Sequence, residues 1–296
     1  MTMTNAAMLE KIRSGQGFIA ALDQSGGSTP GALKAYGVPE GSWSTEEEMY
    51  GLIHQMRSRI ITSPSFTGDK VIGAILFERT MDGEAGGKPV PTALWDRGVV
   101  PFLKVDRGLS DEVDNVQLMK PIPGLNELLE RARALGVFGT KMRSVIHGAS
   151  PAGITAVVQQ QFLVGRQILS QGLVPIIEPE VSISAPNRAE AERILLGALR
   201  KELDALPEGE QVMLKLTLPV EANLYAPLIA HPRVLRVVAL SGGFTRQDAC
   251  HKLAENHGMI ASFSRALLAD LRAQMSDEEF DRTLREAIDE IASASA

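Results

Sequence analysis

Apolar residues gather along this chain in short blocks. Eight blocks rich in Val, Ile, Leu, Phe and Ala stand out: Gly17–Asp23, Val71–Phe77, Pro101–Asp106, Val137–Ser144, Leu173–Pro179, Gln211–Thr217, Val234–Ser241 and Met259–Ser264. Near-continuous apolar runs of this length suit strands buried on both faces of a parallel sheet. Between them the period changes. Ile122–Gly136 opens on Pro-Gly, spaces its leucines by three and four, and stops at glycine. Ile154–Gly172, Asn187–Leu206 and Ser264–Met275 read as helices in the same way, and Ser276–Ala294 begins with a capping box, Ser276 with Glu279. Strands alternating with helices predict an α/β fold, a (β/α)8 TIM barrel, with one domain over residues 1–296; a doubly wound open sheet is the rival arrangement. Asp82–Pro91, rich in Gly and Pro, is expected as a surface loop, and the closing "ASASA" as a frayed tail.

Composition adds limits rather than a fold. Apolar residues make up 44% of the chain and charged residues 22%, enough for an ordinary core. A net charge of −6 argues against nucleic acid as a partner while leaving room for local anion sites. Cys250 is the only cysteine, so no disulfide can form within the chain, which suits a reducing cytoplasm. The start "MTMTNAAMLEKIRSG" lacks the order of a signal peptide, and no apolar run approaches ~18 residues, so no membrane association is expected. The histidines, His54, His147, His231, His251 and His257, form no H-x-H or H-x-x-x-H pair, which disfavours a metal mechanism. Gly83–Pro89 only superficially resembles a phosphate-binding P-loop, and no G-x-G-x-x-G follows a strand; neither a metal nor a cofactor is expected.

The candidate chemistry lies towards the C-terminal ends of the strand blocks: Asp23, Glu78, Lys104 with Asp106, Lys141 with Arg143, Glu178, Lys215, Ser241 and Arg265. In a barrel these positions converge on one mouth. Lys215 is the sharpest case, a charge inside "QVMLKLT". It could snorkel out of the barrel or serve a structural ion pair. It could also be a nucleophile, its ordinary pKa near ~10.4 lowered by desolvation and by Lys104 and Lys141. Glu178 ends the preceding strand and could move the protons that such a nucleophile needs. "LSGGFTR" and "SFSRALL" resemble the phosphate-binding turns that follow the last two strands of such barrels, and "LDQSGGST" is a third Gly/Ser turn.

"IAALDQS", "ILFERTMDG", "PFLKVDRG", "GTKMRS", "LVPIIEPE", "MLKLTLP", "LSGG" and "SFSRAL" together resemble the class I, Schiff-base fructose-bisphosphate aldolases, in that family's order from about Gly17 to about Leu268. The resemblance implies that Lys215 forms the Schiff base and that Glu178 is the proton donor and acceptor. It implies Asp23 at the hydroxyl of the cleaved bond and Lys141 as a second active-site lysine. Lys104 and Arg143 would meet the distal phosphate; Ser241, Gly242 and Arg265 would meet the phosphate on the ketone side. Glu180 would support them. The chain also departs from the family. It is shorter than the animal enzymes and lacks their C-terminal tyrosine, Ser264 stands where glycine is usual, and Met142 where tryptophan is common. These features resemble the compact bacterial branch. The implied activity is metal-independent cleavage of fructose 1,6-bisphosphate, with a small sugar phosphate as partner and a homo-oligomer left open. Another lysine aldolase or transaldolase, or a sugar-phosphate-binding protein without turnover, remains as an alternative.

Overall fold

A computed structural model describes residues 3–295. Every one of the eight apolar blocks is a strand: β1 (Phe18–Leu22), β2 (Val71–Leu76), β3 (Val100–Lys104), β4 (Gly139–Ile146), β5 (Val174–Val181), β6 (Val212–Thr217), β7 (Val234–Leu240) and β8 (Met259–Ala261). They pair in parallel and in chain order. The Ala21 N–H donates to the Phe263 carbonyl at 3.1 Å, drawing the last strand towards the first. The result is a nearly closed eight-stranded barrel, not an open sheet.

The two faces of each strand explain the apolar runs. Outward residues pack under helices, while inward residues fill the barrel in layers. The inner layers are apolar at the N-terminal end: Ile19, Val100, Phe102, Ile176, Met213, Val238 and Ile260 form one buried cluster. Helix α1 (Met3–Ser14) closes that end with Met8 and Ile12. Phe102 crosses the barrel floor edge-on to Phe138, with ring centroids 5.6 Å apart. Gly139 makes this arrangement fit, because a Cβ there would stand 2.2 Å from the Val174 carbonyl and 2.9 Å from the Phe102 ring. Further along the same inner faces the chemistry changes. Ile19 and Ala21 lead to Asp23, Phe102 to Lys104, Ile176 to Glu178 and Met213 to Lys215, each in steps of two.

The expected helices are present as α4 (Leu125–Ala134), α5 (Pro151–Ser170), α6 (Arg188–Asp204) and α9 (Asp277–Ala294), the last with its Ser276–Glu279 capping box. Further helices α2 (Thr29–Ala35), α3 (Glu46–Thr62) and α7 (Arg246–Ala254) lie outside the leucine-spaced segments. Three local expectations are corrected. Ser264–Met275 is helical only over α8 (Arg265–Leu268). Beyond it Arg59 takes the carbonyls of Ala273 and Met275, and the Ala273 N–H donates to Tyr36, so the backbone bonds of the segment are made elsewhere. Asp82–Pro91 contains a short hairpin, Glu84–Ala85 against Lys88–Pro89. The tail is anchored as far as Ser295, whose hydroxyl accepts from the Ala261 N–H at 3.0 Å.

Candidate active site

Where the inner face turns polar, a cavity of about 890 Å³ opens at the C-terminal end of the barrel. Its wall includes all ten residues that the family resemblance implies, Asp23, Lys104, Lys141, Arg143, Glu178, Glu180, Lys215, Ser241, Gly242 and Arg265, together with the candidate Asp106. Glu78 does not join them. The helical turn Glu78–Met81 carries it to Arg107 and Arg131 at the edge of the mouth. Lys141 and Glu178 also lie deeper than strand ends, because β4 and β5 continue for several residues past them, and β6 continues to Thr217 past Lys215.

The centre is a chain of buried charges. Lys215, Glu178, Lys141 and Asp23 are 4, 3, 3 and 7% exposed. Burial of this kind is costly unless charges are paired. Here Lys215 Nζ stands 3.2 Å from Glu178 Oε1, Lys141 Nζ 3.0 Å from Glu178 Oε2, and the same Nζ 2.5 Å from Asp23 Oδ2. Adjacent strands β4, β5 and β6 deliver the first three of these groups; Asp23 arrives from β1 across the mouth. The Lys141–Glu178 contact is an ion pair without hydrogen-bond geometry at Oε2. Glu178 is fixed from behind, since its N–H donates to Gln161 Oε1 of α5 at 2.8 Å.

The electrostatics follow from this pairing. Burial opposes ionisation of Asp23, but Lys141, Lys215 and Lys104 outweigh it and hold its carboxyl well below the usual range. Burial likewise opposes the charge on Lys141. Asp23, Glu178 and Asp106 overcome it and push that ammonium above an ordinary lysine. The centre therefore holds a fixed ammonium between two carboxylates, with a second amine on the other oxygen of Glu178.

Cations stand on opposite arcs of the ring. On the β3–β4 side, Lys104 Nζ is 2.7 Å from Asp106 Oδ1, and Arg143 Nε is 2.5 Å from Glu180 Oε2. On the β7–β8 side, Ser241 leads into Gly242 and Gly243, both at positive φ, and Arg265 is exposed beside them. A side chain at Gly242 would also meet Ile183, with Cβ 2.7 Å from its methyl, so glycine is needed there twice over. The cavity further includes Gln24, Ser25 and Ser28 from the turn after β1, and Ser264. The "LDQSGGST" turn was the sequence signal for the first three. Ala32, Ala35 and Met56 of α2 and α3 add an apolar wall that no strand-based reading could supply. Met142, on the outer face of β4, is fully buried and is not part of the cavity.

Known proteins share this plan. A family model for glycolytic fructose-bisphosphate aldolase class-I matches residues 4–203, two thirds of the chain. The chain belongs to this family. The matched stretch contains Asp23, Lys104, Lys141, Arg143, Glu178 and Glu180, while Lys215, Ser241 and Arg265 lie beyond it. In structure the likeness runs the whole length. Fructose-bisphosphate aldolase from Plasmodium falciparum superposes with a TM-score of 0.80 at 20% identity, covering 99% of this chain and 94% of that one. A Corynebacterium glutamicum protein follows with a TM-score of 0.55 at 15% identity, covering 98% and 92%. Both likenesses are of fold. Family membership makes the chain a Schiff-base aldolase-family enzyme acting on a phosphorylated sugar. Among the described residues no three of His, Cys, Asp and Glu gather where they could hold a metal ion, and no helix is long and apolar enough to cross a membrane.

Proposed function

We propose that the enzyme cleaves fructose 1,6-bisphosphate reversibly through a Schiff base on Lys215. The observation that carries this reading is the amine of Lys215 at 3.2 Å from Glu178, in a buried cluster that also holds Asp23 and Lys141. Glu178 accepts a proton from Lys215, and the free amine attacks the substrate ketone. Glu178 then returns the proton to the carbinolamine hydroxyl, which leaves as water. The protonated imine is an electron sink. Asp23 takes the proton of the hydroxyl next to the breaking bond, the carbon–carbon electron pair moves into the imine, and glyceraldehyde 3-phosphate departs. The enamine takes a proton at carbon. Water then hydrolyses the imine, releasing dihydroxyacetone phosphate and the lysine.

The ammonium of Lys141 stabilises both carboxylates and the oxygen charge that develops between them. Cations on opposite arcs favour a substrate with two phosphates, Lys104 and Arg143 taking one, and Ser241, Gly242 and Arg265 the other. The single-domain reading, a cytoplasmic location and a place in the compact bacterial branch complete the proposal.

The test is chemical. Borohydride added with dihydroxyacetone phosphate should inactivate the protein and leave a reduced adduct on Lys215, and Lys215→Ala should lose both effects. Full cleavage activity in Lys215→Ala would end the assignment. Cleavage of substrates with one phosphate as efficiently as the bisphosphate would favour another lysine aldolase or a transaldolase.

A further inference from the structure

Arg57 of α3 is completely buried and is the largest of the wholly buried side chains. A buried guanidinium normally has a carboxylate partner. Among the described residues Arg57 has none within ion-pair distance. Its NH2 group donates to the main-chain carbonyl of Gln24 and, at 3.3 Å, to Gln24 Oε1; its NH1 group donates to Thr80 Oγ1 at 2.8 Å. Gln24 passes the connection on, since its Nε2 donates to Ser264 Oγ at 2.6 Å. Burial lowers the guanidinium pKa to about 10, and Asp23 and Tyr50 act against that fall.

The position of these bonds gives them meaning. β1 and β8 meet at the barrel seam, where Ala21 N–H to Phe263 carbonyl is the main-chain bond between them. The other neighbouring strands pair over two residues, as in β5 with β6, up to eight, as in β4 with β5. At the mouth end of the seam, Asp23 stands on one side and Arg265 on the other, and Gln24 and Ser264 are their immediate neighbours in sequence. The geometry points to Arg57 as a positioning residue that, through Gln24 and Ser264, latches the seam and sets the spacing between Asp23 and the Arg265 turn. That spacing decides whether a ketone-side phosphate and the reacting hydroxyl can be held at once. A shift of about 1 Å in such a constellation can cost on the order of 10²-fold.

This inference rests on the aldolase reading above. Its test compares wild type with three variants. Gln24→Leu removes the bond to Ser264 but leaves Arg57 its main-chain acceptor; Arg57→Met removes the latch; Arg57→Lys keeps a donor. The readouts are kcat and KM for fructose 1,6-bisphosphate, and the dihydroxyacetone phosphate concentration giving half-maximal borohydride inactivation. Gln24→Leu and Arg57→Met should raise KM and the half-maximal concentration by about tenfold, with kcat within about threefold, and Arg57→Lys should fall between them and wild type. Folded variants that melt earlier yet keep wild-type KM and half-maximal concentration would make Arg57 merely structural. If Arg57→Met does not fold, Gln24→Leu decides alone. A wild-type protein that borohydride does not trap overturns the aldolase reading and this inference with it; a trapped wild type matched by Gln24→Leu overturns the inference only.

Discussion

Glu178 serves two lysines with one carboxylate, Lys215 on Oε1 and Lys141 on Oε2. Its orientation leaves little freedom, because the backbone behind it is held by Gln161 and the side chain is buried. Replacing it by glutamine changes the shape hardly at all but removes a group that can both accept and return a proton. Glu178→Gln should therefore lower kcat by about 10²–10⁴-fold, the range usual for a lost general acid–base. Rapid-quench measurement of imine formation with dihydroxyacetone phosphate should show the same slowing, with substrate affinity little changed. Wild-type rates of trapping would move the proton-transfer role to another residue.

Strand β4 shows how one element serves both floor and site. Gly139 admits the Phe102 ring at the floor, and two residues on, the same inner face presents Lys141. A methyl at Gly139 would collide with the Val174 carbonyl, which is backbone and cannot rotate away. Gly139→Ala should cost about 1–3 kcal/mol, read as a lower urea midpoint at unchanged slope, and should reduce activity by shifting β4 against β5. The strands were legible in the sequence because both faces of each are largely buried, so most are near-continuous apolar runs and the few charges inside them stand out. Their register was less so. Glu78 and Glu178 each stand at or near the end of such a run, yet a helical turn carries the first to surface arginines while β5 continues and holds the second inside. α3 had its own signal, the Thr45–Glu48 capping box, but its leucine pattern is weak because Arg57 occupies a buried position. Gln24 and Ser264 gain importance only from the closure of the barrel, a relation between the two ends of the chain that local pattern does not contain.

At the scale of the whole molecule, the buried charge cluster links the site to stability. Asp23 has a folded pKa below its unfolded value of about 3.9, so its contribution is complete above that pH and is lost as the pH falls towards the folded value. Lys141 has a folded pKa above its unfolded value of about 10.4, so its contribution is complete below that pH and is lost only as the medium becomes strongly alkaline. The pair therefore stabilises the barrel across the whole interval between about pH 4 and 10. Asp23→Asn removes the acid-side half and leaves Lys141 leaning on Glu178 and Asp106. Its melting temperature should lie a few degrees below wild type from about pH 5 to 9, a deficit on the order of 2 kcal/mol. Below about pH 4 the two melting curves should converge, because wild type is then losing the same contribution by protonation. Thermal melts followed by circular dichroism from pH 2.5 to 9 would check this. A gap that stays constant down to about pH 2.5 would mean that the Asp23 carboxylate is not what couples this fold to acid.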